Sequence, residues 1–177
     1  KWYSAKHSAD AAPTNANVWS NYNEYDQEAG FLAGFSANFR AALLDTTHTV
    51  GKSSTDGGGT ETCVDKIFFA SCTEVGLSGD ATCGTKLALF SDNNSRLAYP
   101  TAECVSKSEY TNNNFAASKA WYWWLCDAYA SSSYNVRRVA SSGALSRAYS
   151  GDGGVRPLCN LSSSILVSDT TDSDGAY

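Results

Sequence analysis

The sequence has only two histidines and no long apolar run, and these two shortages argue against particular classes of function. No apolar stretch approaches the roughly 20 residues of a membrane-spanning helix, so we expect no membrane insertion. The two histidines, His7 and His48, lack a neighbouring nucleophile motif, so no Ser-His-Asp triad is indicated. The glycine-rich "DGGGTE" segment lacks the lysine of a phosphate-binding loop. We therefore predict no catalytic residue, no enzymatic activity and no cofactor.

Positive charge is also scarce, because 13 lysines and arginines stand against 18 aspartates and glutamates. The formal net charge of -5 and the pI of about 4.9 make nucleic acid and anionic membrane surfaces poor partners. A hydrophobic content of 42% is enough for a core, which predicts one domain over residues 1–177. No signal peptide is visible and the chain starts at Lys1, so we expect a processed product or part of a longer chain.

The six cysteines form no C-x-x-C pair and have no histidine close by in sequence, so their spacing predicts no metal site. Disulfide bonds stay open at this point, because spacing alone cannot pair the cysteines. We expect most of them to be buried free thiols, as unpaired cysteines in a core usually are. They are Cys63, Cys72, Cys83, Cys104, Cys126 and Cys159.

Apolar periodicity predicts the elements of the first half of the chain. Three phenylalanines and Leu43 recur every four residues in "GFLAGFSANFRAALL", which indicates a core-packing helix over about residues 30–44. "VDKIFFA" is typical of a strand. In the following "SCTE", Ser71 and Glu74 form a capping-box pattern, which predicts a short helix. A second short helix is expected after Pro100.

The second half is dominated by "AWYWWLC", whose aromatic residues predict a strand that is covered on both faces. "NVRRVASSGALSRAY" predicts a hairpin with Gly143 near its turn. "GGVRPLCNLSSSILVS" alternates apolar and polar residues, which predicts a closing pair of strands. The residues that bracket the hairpin are expected to be mostly buried: Trp121, Trp123, Leu125, Val155, Leu158 and Leu161.

Most of the segment from Asp127 to Gly154 is serine, alanine and glycine, with three tyrosines and three arginines as its large polar side chains. Tyrosine, serine, glycine and asparagine, with occasional arginine, are the residues of antibody combining loops. A flexible linker of the same composition is the alternative. Against a linker, Val136, Val139 and Leu145 stand at strand-like positions. The composition therefore favours a ligand-binding segment on a fixed support.

The combination "WYWWLCDAYA" and "GVRPLCNLSSSILVSD" resembles a domain family of gut bacteria and their phages. That family usually has "WWLRSP" or "WWLRTP" and ends with "GVRPALNL". The stretches "KIFFASCTEVGL" and "LALFSDNNSRLAYPTAE" are similar to the same pattern, so the resemblance runs from about Trp2 to Tyr177. It implies an α+β, C-type lectin-like fold of the formylglycine-generating-enzyme-like subclass. Small twisted antiparallel sheets, two or three short helices and long loops are expected.

Many members of this family look like the variable proteins of diversity-generating retroelements, in which adenines of a template are copied with errors. An AAY codon mutated at both adenines cannot give Lys, Glu, Gln, Met or Trp, and the segment from Asp127 to Gly154 contains none of these. Where the family has "LRSP", this chain has "LCDA" at Leu125 to Ala128. Cys126 and Asp127 are both reachable from such a codon. This favours a diversified Cys126 over a nucleophilic one.

The resemblance therefore implies a variable ligand-binding segment at about residues 126–154. Val136, Val139 and Leu145 are predicted to point into the fold, so that their polar neighbours cluster on one exposed face. The predicted ligand-binding residues are Cys126, Asp127, Tyr129, Ser132, Tyr134, Asn135, Arg138, Ala140, Ser146, Arg147, Tyr149 and Asp152.

The function expected from these residues is that of a diversified receptor-binding domain, or adhesin, on the surface of a phage virion. Its partners would be a host-surface protein or glycan, other virion proteins and further copies of the chain in a trimer. A bacterial cell surface is the alternative location. A structural or decoration domain without diversification is the alternative function. An enzyme of the formylglycine-generating type and a calcium-dependent lectin are disfavoured, because no motif supplies the cysteine pair of the first or the sugar-site signatures of the second.

Overall fold

The computed structural model describes residue 32, residues 35–108, residue 110 and residues 112–164. The chain divides into two compact units. The first comprises residues 1–46 and 159–177, and the second comprises residues 47–158. Across the described residues, no helix is long and apolar enough to cross a membrane.

The first unit contains helix α1, Ala37–Ala42, which is shorter than the predicted helix over residues 30–44. The Ser36 hydroxyl accepts a hydrogen bond from the Phe39 N–H at 3.2 Å and thereby sets the helix start. None of the helical residues is buried, whereas Leu43, directly after the helix, is 3% exposed. Leu43 pairs with Leu161 in an isolated bridge. This single bridge leaves Leu161 36% exposed, so its predicted burial is wrong.

The strands form three small sheets. Strand β1, Thr46–Gly51, pairs with β2, Thr60–Asp65. Strand β3, Ile67–Phe69, pairs with β7, Pro157–Cys159. The third sheet is antiparallel with the order β4 (Trp123–Ala128), β5 (Val136–Val139) and β6 (Leu145–Ala148). Helix α2, Ala102–Lys107, follows Pro100 as predicted, and Thr101 caps its start. The described part of the chain is therefore α+β, with small antiparallel sheets and short helices.

The capping box between Ser71 and Glu74 is present but does not start a regular helix. The Glu74 carboxylate accepts from the Ser71 N–H at 2.8 Å, and the Ser71 hydroxyl accepts from the Glu74 N–H at 3.1 Å. The backbone then makes a turn that ends at Gly76, whose φ of +71° lies in the left-handed region. The left-handed conformation of Gly76 ends this turn, so the predicted short helix does not form. The predicted "VDKIFFA" strand is likewise interrupted by a bend at Lys66.

Strand β4 passes through the core of the second unit, as its aromatic sequence predicts. Trp121, Trp123 and Leu125 are 8%, 2% and 1% exposed, which confirms their predicted burial. Leu158 is partly buried against this core. Val155 is 62% exposed, so its predicted burial is wrong. The chain there meets β4 through one isolated bridge at Gly154 and leaves Val155 uncovered. The core consists of Ala70, Cys72, Val75, Phe90, Trp123, Leu125 and Val139.

The turn of the β5–β6 hairpin is fixed by contacts with a distant loop. Gly143 has φ +80°, and a Cβ atom at this position would collide with the Asn93 carbonyl. The Gly143 carbonyl accepts a hydrogen bond from Arg96 Nε at 2.9 Å. Arg96 is only 6% exposed and also donates to the carbonyl of Val75 at 3.1 Å. The Arg96 carbonyl in turn accepts from Trp123 Nε1 at 2.9 Å, so one buried arginine connects the hairpin to the core.

Candidate functional site

The register of the three-stranded sheet decides which side chains of the hairpin share a face. Arg137 lies opposite Arg147, and Arg138 lies opposite Ser146. Because side chains alternate along a strand, Arg138 and Arg147 are on opposite faces. Val139 pairs with Trp123 on the core side, so Val136 must point to the other side. The prediction of a single exposed face is therefore wrong, because Val136 and Val139 cannot both point inward.

Four of the predicted residues form two contacting pairs near the end of the sheet where Ala128, Val136 and Ala148 pair. We call this group the Tyr–Arg end. Tyr134 and Tyr149 are 67% and 78% exposed. Their ring centroids are 5.8 Å apart and their planes are nearly perpendicular, at 81°. This edge-to-face pair is a favourable aromatic geometry, although both rings stay open to solvent. The Tyr–Arg end consists of Tyr129, Tyr134, Arg147 and Tyr149.

Tyr129 is the inner ring of the Tyr–Arg end and lies between two arginines. The guanidinium carbons of Arg147 and Arg137 are 4.3 Å and 4.5 Å from its ring centroid. Arg137 also forms an ion pair with Asp80, with its Nε 2.8 Å from the carboxylate oxygen. Its charge is thus compensated within the chain. Arg147 is exposed and has no ion pair among the described residues, so it is the arginine that can reach a ligand here.

Ser132 and Asn135 hold the loop that carries Tyr134. Asn135 Nδ2 donates to the Ser132 hydroxyl at 2.9 Å, and the Ser132 N–H donates to the Tyr129 carbonyl at 3.1 Å. The Tyr129 N–H returns a bond to the Asn135 carbonyl at 3.0 Å. Both Ser132 and Asn135 are half-buried. Their role in the structure is to shape the loop, and they adjoin the Tyr–Arg end.

A second group forms on the opposite face of the sheet around Arg138. Its guanidinium carbon is 4.0 Å from the Tyr122 ring centroid, and Nη1 is 2.9 Å from the Asp152 carboxylate. Asp152 also accepts from the Ser150 hydroxyl at 2.8 Å. Ser146 lies directly across from Arg138. Arg138, Ser146 and Asp152 therefore come together, but apart from the Tyr–Arg end.

Ala140 belongs to neither group. It lies at the turn end of the hairpin, where its N–H donates to the Ala144 carbonyl at 2.8 Å. Its methyl group is half-buried. The sheet length separates it from the Tyr–Arg end.

Cys126 and Asp127 are buried, so the prediction that they face a ligand is wrong. They are 8% and 3% exposed. The Asp127 carboxylate accepts hydrogen bonds from the Gly51 N–H at 2.8 Å and from the Cys72 N–H at 2.5 Å. The Cys126 N–H donates to the Ala70 carbonyl at 2.9 Å. This part of β4 thus connects to two other segments of the chain, at Gly51 and at residues 70–72, and serves the fold.

All six cysteines are free, and three of them, Cys72, Cys83 and Cys126, are buried. Burial raises the pKa of the Cys83 thiol to about 12, with a further contribution from the Asp127 carboxylate. Burial, followed by the charge of Asp127, also raises the pKa values of Cys72 and Cys126 above the usual range. A neutral buried thiol is a poor nucleophile. Among the described residues, no group of three or more His, Cys, Asp or Glu side chains is placed to hold a metal ion.

Sequence reasoning missed Arg137, Asp80 and Arg96. Arg137 could have been found by aligning the hairpin about Gly143, which places it opposite Arg147. No local signal points to Asp80, which lies 57 residues before its partner Arg137. Arg96 stands in an ordinary polar turn, and its burial follows only from the packing of that turn on the hairpin.

Residues 6–163 match the model of a family described as "Domain of unknown function (DUF6273)". No curated protein and no solved structure gives a significant match. The family description attaches no activity, substrate or partner to its members.

Proposed function

Because the chain belongs to the DUF6273 family, whose description gives no activity, we propose a function from its geometry: a ligand-binding domain that recognises host-surface molecules. The binding surface is the Tyr–Arg end. The single observation that carries this proposal is the solvent-exposed pair of Tyr134 and Tyr149, in which Tyr149 stands two residues after Arg147, an arginine with no ion pair among the described residues. Tyrosine and arginine are the residues most enriched, with tryptophan, at binding hot spots.

The support beneath these side chains favours binding. Tyr149 follows β6 directly, and Tyr134 lies two residues before β5. The pairing of Val136 with Ala148 fixes the backbone next to both tyrosines, and the loop at Ser132 is held by its own hydrogen bonds. A tyrosine loses little conformational entropy on binding, and a rigid support reduces the ordering cost further. The linker-like composition is thus compatible with a preorganised surface.

The finer proposal is that this is a C-type lectin-like domain of a phage virion whose binding residues are diversified by a retroelement. The absence of Lys, Glu, Gln, Met and Trp from residues 127–154 supports it. The burial of Asp127 limits the set of positions that can be diversified. Replacement of Asp127 by other residues would leave the Gly51 and Cys72 N–H groups without their hydrogen-bond acceptor. We propose that diversification is confined to the exposed positions, with the Tyr–Arg end as its centre. The domain then acts on the virion surface, as a trimer with other virion proteins.

A second candidate is a structural or decoration domain whose sequence is not diversified. The observation that favours it is that two of the three hairpin arginines are used within the chain. Arg137 pairs with Asp80, and Arg138 pairs with Asp152. Under this alternative, these two ion pairs stabilise a surface whose sequence does not vary.

Sequencing the coding region of residues 121–161 in many copies of the gene from one population separates the two candidates. We expect substitutions at the codons of Tyr129, Tyr134, Arg147 and Tyr149, and an unchanged Asp127. A reverse transcriptase gene and a near-repeat of this region should lie nearby. An invariant region without either neighbour would reject diversification and leave the structural domain. Substitutions spread evenly over buried and exposed codons would reject the assignment of the Tyr–Arg end.

A further inference from the structure

A cleft of about 510 Å³ opens in the second unit, away from the Tyr–Arg end. Its walls are formed by the chain around Pro100, by an aromatic group, and by residues 151–156. The volume lies within the roughly 300–1,000 Å³ that small-molecule sites occupy. The proposed function uses none of the aromatic side chains in this cleft.

The aromatic wall consists of rings that fix one another. Trp121 has its ring centroid 5.2 Å from that of Phe115 and 5.7 Å from that of Tyr110. Tyr110 and Phe115 are themselves 5.9 Å apart at an angle of 83°. Trp121 is buried, whereas Tyr110 is 41% exposed and Tyr99, on the same cleft, is 56% exposed. The cleft therefore offers the Tyr110 ring as a flat aromatic surface that Trp121 and Phe115 hold in place, with the exposed Tyr99 on the same cleft.

The charge of the cleft is positive, although the chain as a whole is acidic. Arg156 lines the cleft, with its guanidinium carbon 5.1 Å from the Trp123 ring centroid. Its Nη1 atom is buried without a hydrogen-bond partner, and no carboxylate of the described residues pairs with it. The Asp152 carboxylate on the same cleft is already neutralised by Arg138. Burial lowers the pKa of Arg156, but an arginine side chain remains charged at neutral pH.

Hydroxyl groups surround the aromatic wall. Thr101 and Ser108 line the cleft, and so do the phenols of Tyr99 and Tyr110. A ligand for such a site needs an apolar ring face, several hydroxyl groups and a negative charge. An aromatic acid lacks the hydroxyls, and a neutral sugar lacks the charge.

We propose that this cleft binds an acidic saccharide, a sugar ring that carries a carboxylate. The C–H face of the ring packs on Tyr110 and Tyr99, and the sugar hydroxyls bond to Thr101 and Ser108. The carboxylate pairs with the guanidinium group of Arg156, a charge-assisted contact that arginine is well shaped to make. The inference is independent of the proposed function, since it rests on side chains outside the Tyr–Arg end.

Calorimetric titration of the full chain tests this directly. The acidic probes are digalacturonate and N-acetylneuraminate, and the controls are neutral digalactose and benzoate. We expect at least one acidic sugar to bind at least ten-fold more tightly than either control. The two acidic probes distinguish a uronate from a sialate. Equal binding of digalactose and the acidic sugars, tighter binding of benzoate, or no binding at millimolar concentration would overturn the proposal.

Variants locate the site. Arg156→Gln and Tyr110→Leu should each weaken binding of the acidic sugar by at least ten-fold, and melting curves should check that each variant folds. Tyr110 is 41% exposed and its replacement by leucine keeps an apolar side chain there, so this variant remains informative if Arg156→Gln does not fold. The double variant Tyr134→Ala with Tyr149→Ala is the matched control and should bind as the parent does. Sugar binding that is lost in this control and kept in Tyr110→Leu would contradict the proposed cleft and would instead place sugar binding at the Tyr–Arg end.

Discussion

Replacing Asp127 by alanine should destabilise the protein, even though this residue stands inside the segment with a linker-like composition. The carboxylate is 3% exposed and accepts two backbone hydrogen bonds, from Gly51 and from Cys72. A hydrogen bond to a charged group contributes about 1.5–3 kcal/mol to stability, so two give about 3–6 kcal/mol. Relief of the buried charge offsets part of this loss. We expect Asp127→Ala to lower the free energy of unfolding by about 2–4 kcal/mol.

Urea denaturation followed by tryptophan fluorescence measures this loss. Asp127→Asn is the graded control, because the Gly51 and Cys72 N–H groups bond to different carboxylate oxygens and asparagine keeps only one of these two acceptors. It should lie between the parent and Asp127→Ala. Tyr149→Ala, 78% exposed, should stay within about 0.5 kcal/mol of the parent. If Asp127→Ala unfolded at the parent's urea concentration, β4 would tolerate variation here and the proposed restriction of diversity to exposed positions would be wrong.

Three further predictions concern the scaffold. Trp123→Ala should lower the free energy of unfolding by about 3–5 kcal/mol in the same urea assay, because the side chain is 2% exposed. A variant as stable as the parent would contradict the position of Trp123 in the core. Gly143→Ala should lower the melting temperature, because φ is +80° and a Cβ atom would strike Asn93; an unchanged melting temperature would contradict this turn geometry. Burial raises the pKa of Cys83 to about 12 from 9.0, so the neutral thiol stabilises the folded state below pH 9 and this contribution is lost as pH rises toward 12. The melting temperature of the parent should therefore fall more steeply over this range than that of Cys83→Ala, and parallel pH profiles would exclude the effect.

Local signals in the sequence predict the strands better than they predict which face of the sheet each side chain lies on. The aromatic run gives β4, and the hairpin follows from apolar positions on both sides of Gly143. These features depend on neighbours in the chain. The face of each side chain depends on register, and Val136 and Val139 differ by an odd number of positions. The sequence pattern alone therefore placed Arg138 and Arg147 together, whereas the sheet separates them.

The burial of Asp127 is a second case in which distance along the chain matters. Its two hydrogen-bond donors stand 76 and 55 residues away in sequence. A polar residue in a serine-rich stretch gives no sign of such partners. The same holds for Arg96, whose acceptor Gly143 is 47 residues further along. Tertiary contacts of this kind become visible only when the chain is folded.

The most direct test of the central claim is a paired measurement on the double variant Tyr134→Ala with Tyr149→Ala. The labelled parent and variant are titrated onto a panel of intact bacterial cells, and their melting temperatures are recorded. The loss of a single hot-spot tyrosine costs about 2 kcal/mol or more, which is about thirty-fold, so the double variant should bind at least thirty-fold more weakly to any cell that the parent recognises. Its melting temperature should match that of the parent. A variant that binds as the parent does, or one that unfolds, would contradict the assignment of the Tyr–Arg end as a binding surface.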